Sequence, residues 1–320
     1  MAGGQERTLR RRIKSVQSTK KITKAMELIA ASRIVKAQQR VAAARPYAEQ
    51  ITEVIGNLAR AGAGRGSPLL EARDEVRSVG IVVVAADRGL AGGYNTQIIR
   101  LAERALTEAR EAGQQVTLVT VGRKADAYFR FRGHDIAASF GGFTDEPTYE
   151  DARAVAGAVT ERFAEGDIDR VALFYTRFVS LGVQRATEAT YLPIDTSEVD
   201  EAVTEGPTAD YEFEPSPAEI LDRLLPRYAE ARLYAALLES AASEHAARQR
   251  AMKSATDNAE ELIVKLSRAM NRARQDAITT EIMEIIGGAE SLREGAGGGE
   301  DLLVDRIGGV HDLLPDSLAR

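Results

Sequence analysis

The sequence predicts an α/β protein in which a long antiparallel coiled coil of N- and C-terminal helices carries a small α/β domain between them. Three observations carry this reading. No glycine stands between Gly4 and Gly56, and none between Pro217 and Gly287, so both ends can run as uninterrupted helix. Both ends repeat apolar residues in alternating steps of four and three. The middle instead alternates β-branched runs with amphipathic stretches of helix length.

Composition sets limits on function. The 320 residues are 44% hydrophobic and 28% charged, the balance of a folded chain, not a disordered one. No stretch approaches the roughly 18 uncharged apolar residues of a transmembrane helix. Cysteine is absent, which excludes disulfides, thiolate metal sites and cysteine nucleophiles. The three histidines, His134, His245 and His311, lie far apart, against a His-rich metal cluster. Few aromatics, no Trp and abundant Ala and Arg favour long helices.

The net charge of −6 hides an asymmetry. From Arg7 to Arg45 there are 12 Lys/Arg against one acid, Glu27, a balance of 12 − 1 = +11. From Asp195 to Asp222 there are 10 acids and no Lys or Arg. The first stretch calls for an acidic partner; the second reads as a solvated loop. The basic start shows no cleavage-like break, so it reads as structure and not as a targeting peptide.

The first helix occupies residues 1–60. Its seam is Leu9, Ile13, Val16, Lys20, Thr23, Glu27, Ala30, Ile34, Ala37, Val41 and Ala44, with a second short stripe at Ile22, Met26 and Ile29. Two apolar faces imply two partners. Pro46 is expected to kink the helix without ending it, and Ala61–Pro68 is a breaker-rich linker. Residues 61–215 hold this linker, the α/β domain and the acidic loop. Strands are expected at Val79–Ala85, Val116–Val121, His134–Ala138, Arg170–Tyr175 and Val183–Tyr191. Helices are expected at Asn95–Glu111, Lys124–Arg132 and Tyr149–Ala164. Such alternation implies βαβ units and a small sheet with Rossmann-like winding.

The last helix, 216–292, has a seam from Leu224 through Leu238, Met252 and Leu266 to Ala277, broken only by His245, Gln249 and Thr256. His245 reads as a packed seam residue, not a ligand. Pro226 lies in the first turns, where its cost is small. The two long helices leave opposite chain ends of one domain, so if they pair they are antiparallel. The second is the longer, and its tip at Ile278, Ile282, Met283, Ile285 and Ile286 needs a pocket elsewhere. Residues 293–320 form an extension: a Gly-rich joint, then a weak amphipathic signal at Leu303, Ile307, Val310 and Leu314, expected to be disordered or weakly bound.

Catalytic motifs are scarce. Asp87–Asn95 sits where a dinucleotide fingerprint belongs, but Ala91 and Tyr94 replace two of its glycines and no phosphate-loop Lys-Ser/Thr follows. It reads as a structural turn, with anion binding the lesser alternative. No Ser, His or Cys nucleophile arrangement is present. The basic helix suits a protein partner better than nucleic acid, because aromatic interleaving is missing.

Arg12–Ser32, RIKSVQSTKKITKAMELIAAS, closely resembles the N-terminal helix of the γ subunits of F-type ATP synthases. Arg274–Ala289, RQDAITTEIMEIIGGA, is similar to that family's C-terminal signature, and Ala255–Asn258 and the Asp87–Asn95 turn fit it too. The likeness spans about residues 5–292. It implies a central rotor without catalytic site or cofactor, one copy per complex, touching α, β and ε subunits and the membrane c ring. Proton-driven turning of the c ring would pass through the asymmetric shaft to the catalytic sites on β. By the same likeness Met26 faces an acidic loop of β with Lys24 nearby as an ion-pair donor. Arg274 and Gln275 hydrogen-bond a β catch loop, and Arg248, Thr279 and Glu281 are further coupling positions. The absence of Cys rules out the thiol switch of the chloroplast branch and favours a bacterial enzyme, peripheral on the cytoplasmic face of the membrane. The alternative from another class is a standalone coiled-coil adaptor that binds an acidic partner or nucleic acid.

Overall fold

The computed structural model describes residues 2–60, 67–194 and 216–296. The chain divides into two compact units: residues 21–256, and the residues up to Lys20 together with those from Asp257 onward.

The larger unit is built on a five-stranded sheet. In chain order the middle elements are β1 (Ser78–Val84), α2 (Tyr94–Glu111), β2 (Gln115–Val121), α3 (Arg123–Phe131), β3 (Ala138–Phe140), α4 (Tyr149–Glu165), β4 (Arg170–Phe178) and β5 (Gln184–Leu192). The strand order is β3-β2-β1-β4-β5, parallel throughout except for β5, which runs antiparallel to β4. All seven residues of central β1 are buried, as expected of a Val-rich strand covered on both faces. Alternation sends Val79, Ile81 and Val83 toward α2 and α3, where Ile98, Leu106 and Phe129 cover them. Val82 and Val84 point the other way, into a core shared with Val155 and Phe163 of α4. Ile55 and Leu58 of the first helix, and Leu225 and Tyr228 of the last, close that same layer. The long helices are therefore part of the domain's core where they meet it.

Local chemistry fixes the element ends. Thr148 and Asp151 form a reciprocal capping box at the start of α4, and Gly166 ends it at φ 85°. Gly122, at φ 94°, joins β2 to α3 where an added Cβ would lie 2.1 Å from the Ala85 carbonyl oxygen. Only glycine fits there.

The two long helices are α1 (Ala2–Arg60) and α5 (Pro217–Ala296). α1 runs through Pro46, and every residue of its expected seam is buried or half-buried. Two expectations shift. The third strand lies at Ala138–Phe140, not His134–Ala138, because the chain must first leave α3 through Gly133, at φ 74°, and pack the His134 ring on Phe129. The Ala137 N–H then bonds the Leu118 carbonyl, and β3 starts four residues and ends two residues later than the apolar pattern suggested. α5 continues past residue 292 to Ala296, through Gly287 and Gly288, neither of which takes the left-handed conformation that caps helices. The linker residues 61–66, the acidic segment 195–215 and the signal at Leu303–Leu314 lie outside the described residues.

Candidate functional site

Within the larger unit α1 and α5 pair antiparallel. Thr23 and Thr256 share a buried hydroxyl hydrogen bond of 2.8 Å, while residues 41–48 of α1 face residues 227–239 of α5 around a cavity of about 580 Å³. The two threonines, which interrupt the apolar seams in sequence, thus satisfy each other inside the seam. Thr256 also donates back to the Met252 carbonyl at 2.8 Å. Within the smaller unit Lys20 pairs with Glu260 at 3.1 Å.

The expected contact residues fall into two groups. Lys24 is exposed and its ammonium reaches both Glu27 carboxylate oxygens at 3.1 Å. Met26 is half-buried, and Ile22 and Ile29 beside it are 61% and 56% exposed, so the second stripe is open. In the smaller unit Arg274, Gln275, Thr279 and Glu281 are all exposed. So are Ile278, Ile282, Met283, Ile285 and Ile286, a run of large apolar side chains on the outside of one helix.

Arg248 stands apart, being 9% exposed. Its guanidinium donates to Glu244 at 2.5 Å and to the Gly89 carbonyl at 3.3 Å, an engagement inside the chain. It belongs to a polar joint that the sequence pattern does not reveal. Arg33 and Arg40, two turns apart on α1, hold Asp145 and Glu146 of the loop before α4. His245 of α5 meets the backbone carbonyl of the same Asp145 at 3.1 Å, which requires its Nε2 to carry the proton. The Asp87 carboxylate accepts N–H bonds from Gly142 (2.8 Å), Thr144 (3.1 Å) and Arg123 (3.1 Å). One loop is thereby clasped by α1, α5 and the turn after β1.

The electrostatics of the joint follow from its burial. Burial alone would raise the Asp87 pKa, but the Gly142, Thr144 and Arg123 N–H groups outweigh it and hold the carboxyl below its usual range. Burial pushes Glu244 up against the opposing charge of Arg248, and Asp145 and Asp87 add to the rise. Burial likewise lowers His245, partly offset by the Asp145 carbonyl. The contacts that join these elements span 36 to 159 positions of sequence, so no local spacing signals the cluster.

Among the described residues no group of three His, Asp or Glu is placed to hold a metal ion, and no helix is long and apolar enough to cross a membrane. What the arrangement offers is surface: an exposed apolar and cationic face on α1, and an exposed polar and apolar tip on α5.

The family model described as ATP synthase matches residues 5–292. A protein from Parafrankia sp. named ATP synthase gamma chain is 56% identical over 297 residues, covering 92% of this chain and 99% of the relative. One of the same name from Streptomyces coelicolor is 47% identical, covering 93% and 100%. Among solved structures, a chain of the Tetrahymena thermophila mitochondrial ATP synthase, from its central stalk and c-ring, is 25% identical with a TM-score of 0.58, covering 73% of this chain and 99% of that one. A chain of the Euglena gracilis mitochondrial ATP synthase, 18% identical, shares the fold with a TM-score of 0.63 over 92% and 96% of the two chains.

Proposed function

The chain belongs to the ATP synthase gamma chain family, and on that footing we propose that it is the central-stalk rotor of a bacterial F-type ATP synthase. The observation that carries this is a match at 56% identity that runs nearly end to end in both chains. In this reading the c ring and ε subunit hold the α/β domain, and α and β subunits surround the paired helices. One copy serves each complex, and it carries no catalytic site and no cofactor. The complex is peripheral on the cytoplasmic face of the membrane, reached through the c ring.

Coupling is a matter of differential contact. A shaft whose sides differ presents different groups to each β subunit, and so biases each between open and closed states as it turns. The exposure of the expected contact residues supports this reading. Arg274 and Gln275 are exposed donors for charge-assisted and neutral hydrogen bonds to a β loop, with Thr279 and Glu281 further along the tip. Met26 and Lys24 lie beside the open stripe of α1, where Lys24 can exchange Glu27 for an acidic group on β. Arg248 acts differently, by holding α5 to the turn after β1 so that torque on the domain reaches the helix. The exposed tip at residues 278–286 requires an apolar sleeve, which the α and β subunits would form.

The test is reconstitution. Full-length chain mixed with α and β subunits should co-purify as one complex and restore ATP-driven proton pumping when joined to the c ring. A chain that remains alone, or that instead binds nucleic acid in a salt-sensitive way, would return the reading to a standalone adaptor.

A further inference from the structure

The apolar run near the end of α5 has an internal order. Ile278, Ile282, Ile285, Ala289 and Leu292 follow one another in alternating steps of four and three, and all five are exposed, Leu292 to 75%. They make a seam about 21 Å long on one side of the helix, the pattern of a helix that packs on a second helix. α1 does not reach it. In the smaller unit Lys20 pairs with Glu260, so Ala2, 20 − 2 = 18 residues earlier on an antiparallel helix, comes level with about residue 278. Beyond that point the seam has no partner among the described residues.

The chain itself carries a matching one. Read back from Leu292, the seam steps three residues to Ala289 and four to Ile285. Read forward from Ile307, the extension steps three to Val310 and four to Leu314, and Pro315 ends the run. A helix that turns back on α5 meets the seam in that reversed order, with Ile307 level with Leu292, Val310 with Ala289 and Leu314 with Ile285. α5 ends at Ala296, which leaves residues 297–302 for the connection. Six residues that start on Gly297–Gly299 suit it, since helix–helix connections usually take about two to eight.

Two features keep such a pairing weak. Gly308 and Gly309 lower the helix propensity beside Val310. Both partners are also acidic: residues 278–296 hold four acids and one base, residues 297–320 five acids and two bases.

We propose that residues 303–314 fold back as a helix on the seam from Ile278 to Leu292 and cap it in the free chain. The proposal concerns the chain by itself and does not depend on the rotor reading. On that reading α and β subunits take over the same seam, and a weak cap is one they can displace.

The test exploits the absence of native cysteine. In the full-length chain, Ala289→Cys with Val310→Cys sets two thiols face to face, whereas Ala289→Cys with Asp312→Cys sets the second on the outer side of the returning helix. The loops closed are 310 − 289 = 21 and 312 − 289 = 23 residues, so a tail without structure would close both at nearly the same rate. At micromolar chain the intramolecular disulfide is expected to form about tenfold or more faster in the Val310→Cys pair. Added salt should widen that ratio by screening like charges. Gly308→Ala with Gly309→Ala should widen it by about threefold or more. Ile307→Asp should bring the ratio to about one and increase the binding of an apolar fluorescent dye. Equal rates for the two pairs in the parent background would overturn the cap. So would Ala289→Cys alone oxidising to a cross-linked dimer as fast as the Val310→Cys pair closes, an outcome that assigns the seam to a second copy of the chain.

Discussion

Replacing Arg248 with Met tests how the joint between α5 and the domain is held. The guanidinium lies 2.5 Å from the Glu244 carboxylate, with side chains only 11% and 2% exposed. An exposed pair would be worth about 0–1 kcal/mol. Here removal of the cation strands a buried carboxylate whose other oxygen already lacks a hydrogen-bond partner, which costs about 3–5 kcal/mol. The loss must also depend on pH. Burial raises the Glu244 pKa above its ordinary 4.5, so the folded state holds the proton more tightly than the unfolded one. Stability therefore falls as pH rises from 4.5 through the folded value. Without Arg248 to oppose it, that folded value climbs further, and Arg248→Met should cost little in acid and most near neutrality. All nine tyrosines lie between Tyr47 and Tyr234, so near-UV circular dichroism during urea unfolding reports the larger unit and not the shaft tip. Glu244→Gln combined with Arg248→Met should recover most of the loss. A cost below about 1 kcal/mol at neutral pH, or the same cost in acid, would refute the reasoning.

Gly122→Ala should lose at least about 4 kcal/mol in the same urea assay, because its Cβ would meet the Ala85 carbonyl oxygen at 2.1 Å from a backbone at φ 94°. Met26→Lys adds a cation beside Lys24 on the open face of α1; protons pumped per ATP should fall while hydrolysis survives, and unchanged pumping would remove Met26 from the coupling surface. Arg274→Ala with Gln275→Ala removes hydrogen bonds of about 1.5–3 kcal/mol for the charged donor and less for the neutral one. Steady-state hydrolysis by the assembled complex should slow by about tenfold or more, with near-UV dichroism of the larger unit unchanged. Normal turnover would leave the two as ordinary surface.

The periodic elements were legible because burial enforces period. Every seam position of α1 from Leu9 to Ala44 is at least half-buried, and the βαβ alternation matches the sheet to within a residue or two at most ends. β3 was misplaced because three residues carry no period, and its register is set by a backbone bond from Ala137 to Leu118. The helix end at Ala296 was missed because glycine permits a stop without requiring one. The joint of Arg33, Asp145, His245 and Arg248 was illegible for another reason. Its members are ordinary charged residues until the sheet brings one loop against two helices. Conversely, Thr23 and Thr256 looked like flaws in two separate seams; only their pairing shows that the seams agree in register.

That pairing also bears on how the chain is made. Thr23 leaves the ribosome 233 residues before the threonine it must meet. At about 5–20 residues per second, α1 waits roughly 10–50 s for its mate. Throughout that interval strands β1 to β5 can pair, since all five end by residue 192, while Leu225 and Tyr228 of α5 have still to close one face of their core. The seam of the first helix, from Leu9 to Ala44, has no such early partner and stays open to solvent or to a chaperone. Biosynthesis thus puts the heaviest demand on the segment translated first, and a holdase that recognises basic amphipathic helices would find its client there.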